Sequence, residues 1–250
     1  MSNRPQAKQV ERDTFDRWVA ERGWRTLTVE SMRRLAETFC GEVRSTARML
    51  DLACGSGEYT EHLVTAAGLG RVWAADLSAG AVRALRQRVP GVHATVADAE
   101  RLPFPDDSFG GVFLGNVLHH FPAPSRMLRE CWRVLEPGGR LFAIDPNPQN
   151  PLVFVFRVLL GSRSMKTDNE VLHWPSSLKR ELSGSGFEGV VVGSALPLYF
   201  ERDYYDRVLG PRLGVAVYPG NLLERSVFSV PRVGRQLGAF LVSRGTKRQG

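Results

Sequence analysis

Between about residue 46 and residue 150, short apolar runs alternate with segments that have the spacing of amphipathic helices. The apolar runs predict buried strands at residues 47–52, 71–76, 92–97, 111–115 and 140–145. Helices are predicted between them, at residues 57–67, 78–88 and 123–135. Pro137-Gly138-Gly139 is expected to end the last of these helices. Strands that alternate with helices indicate an α/β fold with a mainly parallel sheet and right-handed crossovers.

The pattern is different on both sides of this core. Residues 1 to about 10 are polar and expected to be disordered, and two amphipathic helices follow between Val10 and Phe39, with Thr28 near the N-cap of the second. Their apolar faces are formed by Phe15, Trp18 and Val19, and by Val29, Met32, Leu35, Ala36 and Phe39. After Pro151 a helix is predicted near 176–182, strands at 190–192 and 237–243, and a polar tail from Arg244.

The first predicted strand runs into a turn with two glycines, Gly55 and Gly57. Glycine has no Cβ, so its backbone can lie directly against a ligand. Asp76 ends the next strand, 19 residues after Gly57. At this offset a carboxylate can accept hydrogen bonds from both hydroxyls of a ribose. The pair therefore predicts a nucleoside-type cofactor, and NAD is as compatible with it as other members of that class.

The other strands also end in polar or glycine residues. Gly55, Asp76, Asp98, Asn116 and Asp145 all fall at predicted carboxyl ends. In open parallel sheets the ligands lie beyond these ends. We therefore expect one site at this edge of the sheet.

Composition narrows the class of protein. With 250 residues, 43% of them hydrophobic and 24% charged, the chain suits one globular domain. No apolar run is long enough to span a membrane, and the polar N-terminal residues lead us to expect no secretion signal there. Cys40, Cys54 and Cys131 lack the spacing of a metal or disulfide motif, so we expect reduced thiols in a cytoplasmic protein and no metal site.

The net charge of +7 raises the question of nucleic-acid binding. The 33 basic residues include only four lysines and are scattered along the chain without a long cluster. We therefore do not expect a nucleic-acid partner. The arginine bias is typical of GC-rich bacterial coding sequence.

Five segments resemble the class I S-adenosylmethionine-dependent methyltransferases, in particular the small-molecule branch typified by ubiquinone/menaquinone-biosynthesis-like enzymes. In the family's order they are LDLACGSG (50–57), AADLS (74–78), VADAERLPFPDDSF (96–109), NVLHHF (116–121) and VLEPGGRLFAIDPNP (134–148). The resemblance implies a Rossmann-like, doubly wound seven-stranded sheet with strand 7 antiparallel, N-terminal helices and a C-terminal lid insertion. This sequence departs from the family pattern at Ala53, where the family usually has its first glycine, and at Gly110, where it usually has an acidic residue. We expect Gly110 to loosen the start of strand 4.

The resemblance also implies a division of one domain, residues 1–250. It comprises an N-terminal helical cover (1–45), a cofactor-binding core (46–150), a variable acceptor-side lid (151–235), and a last strand with tail (236–250). The implied cofactor is S-adenosyl-L-methionine, with S-adenosyl-L-homocysteine as product. Its expected contacts are Asp51 at the amino end, Ala53, Gly55 and Gly57 at the methionine part, Asp76 at the ribose, Leu77, Asp98 and Ala99 at the adenine, and Asn116 and Val117 near the sulfonium.

Methyl transfer from a sulfonium is an in-line displacement, and a hydroxyl acceptor must also lose a proton. His119 and His120 follow strand 4, where the family places its acceptor, so one of them is the expected general base. Alternatively, these histidines cap a helix or pack on the cofactor. His173 and Tyr59 are weaker candidates.

The expected activity is transfer to a hydroxyl or amino group of a small apolar or aromatic metabolite, in bacterial specialised metabolism. The acceptor's character is inferred from aromatic residues in the N-terminal helices and in residues 147–235. A nucleic-acid or protein methyltransferase is the first alternative, although Asn116-Val117-Leu118-His119 replaces the Asn/Asp-Pro-Pro-Tyr/Phe motif of base-methylating enzymes. An NAD-dependent dehydrogenase, and a member that binds the cofactor without transferring methyl groups, also remain open, as does the oligomeric state.

Overall fold

The computed structural model describes residues 4–21, 27–154, 170–195 and 238–249. Within these ranges seven strands form one sheet, in the order β3-β2-β1-β4-β5-β7-β6. They are β1 (Met49–Leu52), β2 (Val72–Asp76), β3 (His93–Val96), β4 (Phe109–Gly115), β5 (Leu135–Pro146), β6 (Phe187–Ala195) and β7 (Phe240–Lys247).

The α-helices of the described residues precede the sheet, cross between its strands or follow β5. They are α1 (Arg4–Glu21), α2 (Val29–Glu42), α3 (Glu58–Ala67), α4 (Ala79–Arg88), α5 (Ser125–Val134), α6 (Pro151–Phe154) and α7 (Pro175–Gly184). Two short 3-10 turns lie at Leu69–Arg71 and Leu118–His120. No helix in the described ranges is long and apolar enough to cross a membrane.

Strand direction confirms the predicted sheet. Strands β1 to β5 pair in parallel, whereas β7 runs antiparallel to both β5 and β6. The order reverses between β1 and β4, which pair directly. Such a reversal opens a crevice at the carboxyl ends of the two strands, where ligands bind in doubly wound sheets.

Alternate residues of the central strands pack on opposite faces of the sheet. Leu50 and Leu114 face a core formed with α5 and α7, whereas Met49, Phe113 and Phe142 face a second core formed with α2 and α3. Since side chains alternate along a strand, both faces of a covered parallel strand are apolar. This explains why the strands appear in the sequence as continuous apolar runs.

The predicted helix starts are also confirmed. The Thr28 side chain accepts a hydrogen bond from the Ser31 N–H at the start of α2, and Ser78 accepts one from the Ala81 N–H at the start of α4. Each bond satisfies a backbone donor that has no partner within the first turn of the helix.

Three boundary predictions were wrong. Residues 4–10, expected to be disordered, begin α1. Pro137-Gly138-Gly139 lies inside β5 and not ahead of it, because β5 already pairs with β4 at Leu135, through a register irregularity. The expected polar tail continues β7 as far as Lys247, whose ammonium group binds Asp107.

Some predicted features lie outside the description. The side chains of Phe15, Trp18 and Val19 are not described, and most of the predicted lid lies outside the described residues, including Phe156, Tyr199, Tyr204, Tyr205 and Tyr218. Residues 22–26 and 196–237 also lie outside the described residues.

Strand β4 begins one residue earlier than predicted, at Phe109, and its pairing with β5 shifts register between Phe109 and Gly111, so the ladder is irregular at Gly110. The Gly110 N–H donates to the Arg48 carbonyl at 2.9 Å. A Cβ at this position would overlap the Ala47 Cβ and lie 2.6 Å from Glu136 Oε1. Close packing against the residues before β1 therefore requires a glycine here.

We expect Gly110→Ala to destabilise the protein by about 1–3 kcal/mol, the usual cost of forcing an extra methyl group into a packed site. Gly41→Ala is the matched control, since a Cβ on Gly41 in helix α2 meets nothing within 4 Å. Alanine in a helix is favoured over glycine by about 0.5–1 kcal/mol. Urea unfolding measures both variants, and equal stability of the two would contradict the packing argument.

Candidate functional site

The turn after β1 has an unusual backbone conformation. Ala53, Gly55 and Gly57 all have positive φ, at 57°, 55° and 90°. A Cβ on Gly55 would approach only Glu58 Oε2, at 3.9 Å, so the space beside this backbone is open. A Cβ on Gly57 would overlap the Leu85 side chain, so this glycine allows α4 to pack against the turn. Ala53 stands where the resembled family usually has its first glycine. A left-handed conformation is strained here because alanine has a Cβ.

Asp76 connects this turn to helix α4. Its buried carboxylate accepts a hydrogen bond from the Gly55 N–H at 2.9 Å and one from the Ser78 N–H at 2.8 Å. Burial raises the pKa of Asp76, and the two N–H groups offset part of this effect. Leu77, which follows, is partly exposed at the same edge.

Asp51 lies below the turn and is almost fully buried. The Thr60 hydroxyl donates to its Oδ2 at 2.6 Å, which joins β1 to α3. Burial raises the pKa of Asp51 to about 7, from an ordinary value of 3.8. The hydrogen bond from Thr60 acts in the opposite direction and is the smaller effect.

Asp98 comes shortly after β3 in the chain and lies at one end of the site. Its Oδ1 accepts a hydrogen bond from the Glu100 N–H at 3.0 Å, and its Oδ2 accepts one from Lys8 Nζ at 2.5 Å. Lys8 also pairs with Glu100 at 2.7 Å. Ala99, beside Asp98, is buried in the core. The ion pair with Lys8 has no sequence signal, because 90 residues separate Lys8 from Asp98.

Helix α1 therefore crosses the carboxyl edge of the sheet. Besides the Lys8 contacts, Asp16 accepts a hydrogen bond from the Ser78 hydroxyl and one from the Gly80 N–H at 3.1 Å. Glu11 lies between these residues, with its carboxylate 3.3 Å from His120 Nδ1.

Asn116 directly follows β4 and has a left-handed conformation, with φ of 59°. Its N–H donates to the Ile144 carbonyl at 2.8 Å, and its side-chain amide donates to the Tyr59 hydroxyl at 3.4 Å. Non-glycine residues in this conformation concentrate at functional sites. Val117 is buried directly after it. Burial raises the pKa of Tyr59, so its phenol is a poor general base.

His119 forms a buried pair with Asp145, the residue near the end of β5. Its Nδ1 lies 2.7 Å from Asp145 Oδ1, and the same carboxylate accepts hydrogen bonds from the backbone N–H groups of Leu118 and His119. An ionised carboxylate only accepts hydrogen bonds, so the contact with Asp145 assigns the ring proton to Nδ1 and the lone pair to Nε2. General-base histidines in other enzymes are oriented by an aspartate in the same way.

His120 has two acidic neighbours. Its Nδ1 lies 3.3 Å from Glu11 Oε1 and 4.0 Å from Glu170 Oε1. The rings of His119 and His120 are 4.2 Å apart. Both predicted catalytic residues therefore lie together at the carboxyl edge, and Glu11, Asp145 and Glu170 join them without having been assigned from the sequence. Of these three, only Asp145 had a sequence signal, its place at a strand end.

His173 holds the turn in place. Its Nε2 lies 3.1 Å from the carbonyl oxygens of Leu118 and Phe121. Carbonyl oxygens only accept hydrogen bonds, so this nitrogen carries the proton. The Val171 N–H donates to the His119 carbonyl at 2.8 Å, which aligns this segment with the turn and positions Glu170.

Comparison with known proteins shows which domain part of the chain is similar to. Residues 50–143 match a family model described as a methyltransferase domain. The chain is 33% identical over 129 residues to the ubiquinone/menaquinone biosynthesis C-methyltransferase UbiE of Pectobacterium atrosepticum. This alignment covers 49% of the chain and 48% of the relative, so the chain spans about half the length of this curated relative.

Solved structures share the fold at lower identity. A SAM-dependent methyltransferase of Thermotoga maritima has a TM-score of 0.58 and 18% identity, over 94% of this chain and 95% of its own. The [4+2]-cyclase SpnF has a TM-score of 0.60 and 21% identity, over 87% and 81%. These similarities establish the Rossmann-like methyltransferase fold and leave the reaction open.

The raised pKa of Asp51 predicts a dependence of stability on pH in the absence of cofactor. Between about pH 4 and pH 7 the unfolded chain loses this proton while the folded chain keeps it. The free energy of unfolding therefore falls as pH rises through this range and becomes constant above about pH 7. One pKa unit corresponds to about 1.4 kcal/mol, so the whole effect is about 4 kcal/mol. Asp51→Asn should therefore gain stability relative to wild type between pH 4 and pH 8.

Urea unfolding at several pH values tests this expectation. The control is Asp13→Asn on the exposed side of α1, which makes the same change of charge outside the site. The same pH dependence in both variants would contradict the assignment to Asp51.

Proposed function

We propose that this chain, which is similar over residues 50–143 to a methyltransferase domain, is a class I S-adenosylmethionine-dependent methyltransferase and transfers a methyl group from S-adenosyl-L-methionine to a small molecule. One observation carries the proposal. The segment that matches the methyltransferase domain contains the strand ends that bring Gly55, Asp76, Asp98 and Asn116 to one edge of the sheet.

The residues present fit the cofactor. The open space beside Gly55 admits an extended chain against the backbone, and the Asp76 carboxylate has acceptor capacity beyond its two N–H partners. In this proposal Asp76 accepts from the ribose hydroxyls, Asp98 from the adenine amino group, and Asp51 interacts with the amino end. Leu77 and Ala99 flank the adenine, whereas Ala53, Gly57, Asn116 and Val117 line the remainder. When bound, the cofactor supplies an electrophilic methyl group on a sulfonium.

His119 is the proposed general base. Asp145 fixes its Nδ1–H, so Nε2 presents a lone pair to the proton of the acceptor. The Leu118 and His119 N–H groups donate to the same carboxylate, which fixes its position relative to the His119 ring. Burial of the pair excludes water, which strengthens its electrostatic interaction.

A hydroxyl or amino group is the proposed acceptor atom, since both must lose a proton during transfer. The name of the UbiE relative, a C-methyltransferase, supports carbon as a second candidate. A carbon nucleophile next to a phenol also requires deprotonation, so His119 would keep its role. The apolar or aromatic character of the acceptor, the cytoplasmic location and a place in specialised metabolism stay predictions from the sequence.

A different reaction on the same fold is a separate candidate, because SpnF is a cyclase with this architecture. The His119–Asp145 pair favours a reaction that moves a proton. Transfer of a labelled methyl group to any acceptor separates the two candidates.

We expect Asp76→Ala to weaken S-adenosyl-L-homocysteine binding at least about tenfold, since one hydrogen bond to a charged group contributes about 1.5–3 kcal/mol. Isothermal titration calorimetry measures the affinity. NAD should show no binding in the same experiment. Asp13→Ala, on the exposed side of α1, is the control and should leave the affinity unchanged.

Asp76 also holds the Gly55 and Ser78 N–H groups, so folding of Asp76→Ala is checked by its thermal transition. Asp98→Asn provides a second variant outside the glycine turn. Wild-type affinity in both variants, or tighter binding of NAD than of S-adenosyl-L-homocysteine, would refute the cofactor assignment.

We expect His119→Ala to lower kcat about 100-fold or more, as for loss of a general base, without a matching loss of S-adenosyl-L-homocysteine affinity. Asp145→Asn should act in the same direction, because an amide no longer secures the Nδ1–H tautomer. Formation of S-adenosyl-L-homocysteine, measured with an acceptor found by screening phenols, hydroxy acids and amines, gives kcat.

His93→Gln is the control, since His93 is exposed on β3 outside the site. Near-normal turnover in both His119→Ala and His120→Ala would exclude either histidine as the base. If Asp145→Asn lowered kcat and cofactor affinity to the same extent, Asp145 would have a structural role only and no specific role in orienting His119 for catalysis.

A further inference from the structure

Two histidines and a glutamate converge beside the proposed base. His119, His120 and Glu170 each offer one ligand atom, and these atoms all lie within 4.8 Å of one another. Their side chains are 6%, 9% and 6% exposed. Imidazole and carboxylate groups are among the side chains that bind transition-metal ions.

The spacing suits a metal ion after small side-chain movements. Zinc binds imidazole nitrogen and carboxylate oxygen at about 2.0–2.2 Å, so neighbouring ligands in a tetrahedral site lie ~3.4 Å apart. The three ligand atoms here lie within 4.8 Å of one another, so they must approach each other to reach that spacing. Rotation about the χ angles of the long Glu170 side chain can provide this movement. The backbone bond from Val171 to the His119 carbonyl keeps Glu170 next to the histidines.

Asp145 supplies the support that metal-binding histidines usually have. A histidine ligand generally donates its other ring N–H to a carboxylate, which fixes the tautomer and the ring orientation. The Nδ1 of His119 has this contact with Asp145 at 2.7 Å, so a metal ion would bind at Nε2.

The charge of the cluster also favours a cation. Glu11, Glu170 and Asp145 place three carboxylates around the two imidazoles, and their side chains are 13%, 6% and 4% exposed. A divalent ion bound to the imidazole nitrogens would lie beside these carboxylates, and opposite charges at short distance attract each other.

We propose that His119, His120 and Glu170 form a binding site for one divalent transition-metal ion of the Zn²⁺ class, with Glu11 beside it as charge partner. Imidazole and carboxylate ligands select such ions over Mg²⁺ or Ca²⁺, which prefer sites made of oxygen alone. The lone pair on His119 Nε2 cannot bind a metal ion and accept a proton at the same time. The bound ion therefore blocks the general base, a consequence that rests on the function proposed above.

This site departs from the expectation of no metal, which was based on cysteine spacing. The ligands had no motif in the sequence, because Glu170 lies 50 residues after His120 and approaches it only through the pairing of Val171 with the turn.

Co²⁺ titration of the metal-free wild-type protein tests the site, because Co²⁺ bound to nitrogen and oxygen ligands absorbs visible light. We expect one equivalent of Co²⁺ to bind and Zn²⁺ to displace it. Glu170→Gln and His120→Gln should each weaken Co²⁺ binding at least about tenfold, and Asp145→Asn about 10–100-fold through the loss of ring support. Elemental analysis after dialysis against Zn²⁺ measures stoichiometry independently.

The matched controls are Glu188→Gln and His93→Gln, which make the same changes at exposed positions outside the site and should bind Co²⁺ as wild type does. The shift in melting temperature with S-adenosyl-L-homocysteine shows that each variant is folded. It also separates the two proposals, since retained cofactor binding without Co²⁺ binding overturns the metal site alone, and absent cofactor binding overturns the proposed function.

Wild-type Co²⁺ affinity in both Glu170→Gln and His120→Gln would overturn the ligand assignment. With an acceptor in hand, Zn²⁺ should abolish turnover and a chelator should restore it. Turnover that rises with Zn²⁺ would overturn the blocking of His119.

Discussion

The parallel pairing of β1 with β2 and β4 is the constraint on which the rest of the structure depends. It places the carboxyl ends of the strands side by side and opens a crevice where the strand order reverses. Gly55, Asp76, Asn116 and Asp145 are far apart in the chain and meet only because each follows or ends a strand of this set. The two apolar cores on opposite faces of the sheet hold this arrangement.

Buried carboxylates at this edge oppose folding and favour function. Burial raises the pKa values of Asp51 and Asp76, so their charged forms are disfavoured in the folded protein without a ligand. Asp145 is stabilised by two backbone N–H groups and the His119 ring. A site with several acceptors held in place is suited to a ligand rich in hydroxyl and amino groups, and it is less stable without that ligand.

Helix α1 links three parts of the site. Lys8 binds Asp98 at the adenine end, Glu11 approaches His120, and Asp16 binds the start of α4 next to Asp76. In the proposed function the adenine amino group shares the Asp98 carboxylate with Lys8, because an ionised carboxylate can accept more than the two hydrogen bonds it has here. Lys8 also pairs with Glu100.

The sequence by itself determined the α/β class, the glycine turn, the helix caps and the strand ends that bear Asp76 and Asp98, because each depends on residues close together in the chain. Tertiary structure decided the Asp145–His119 pair, the ion pair of Lys8 with Asp98, the place of Glu170 beside His120 and the glycine required at position 110. These contacts join residues that are 26 or more positions apart, and packing and desolvation, which have no local pattern, select them. The extension of β7 to Lys247 has the same cause, since Asp107 neutralises a lysine that appears in the sequence as part of a polar tail.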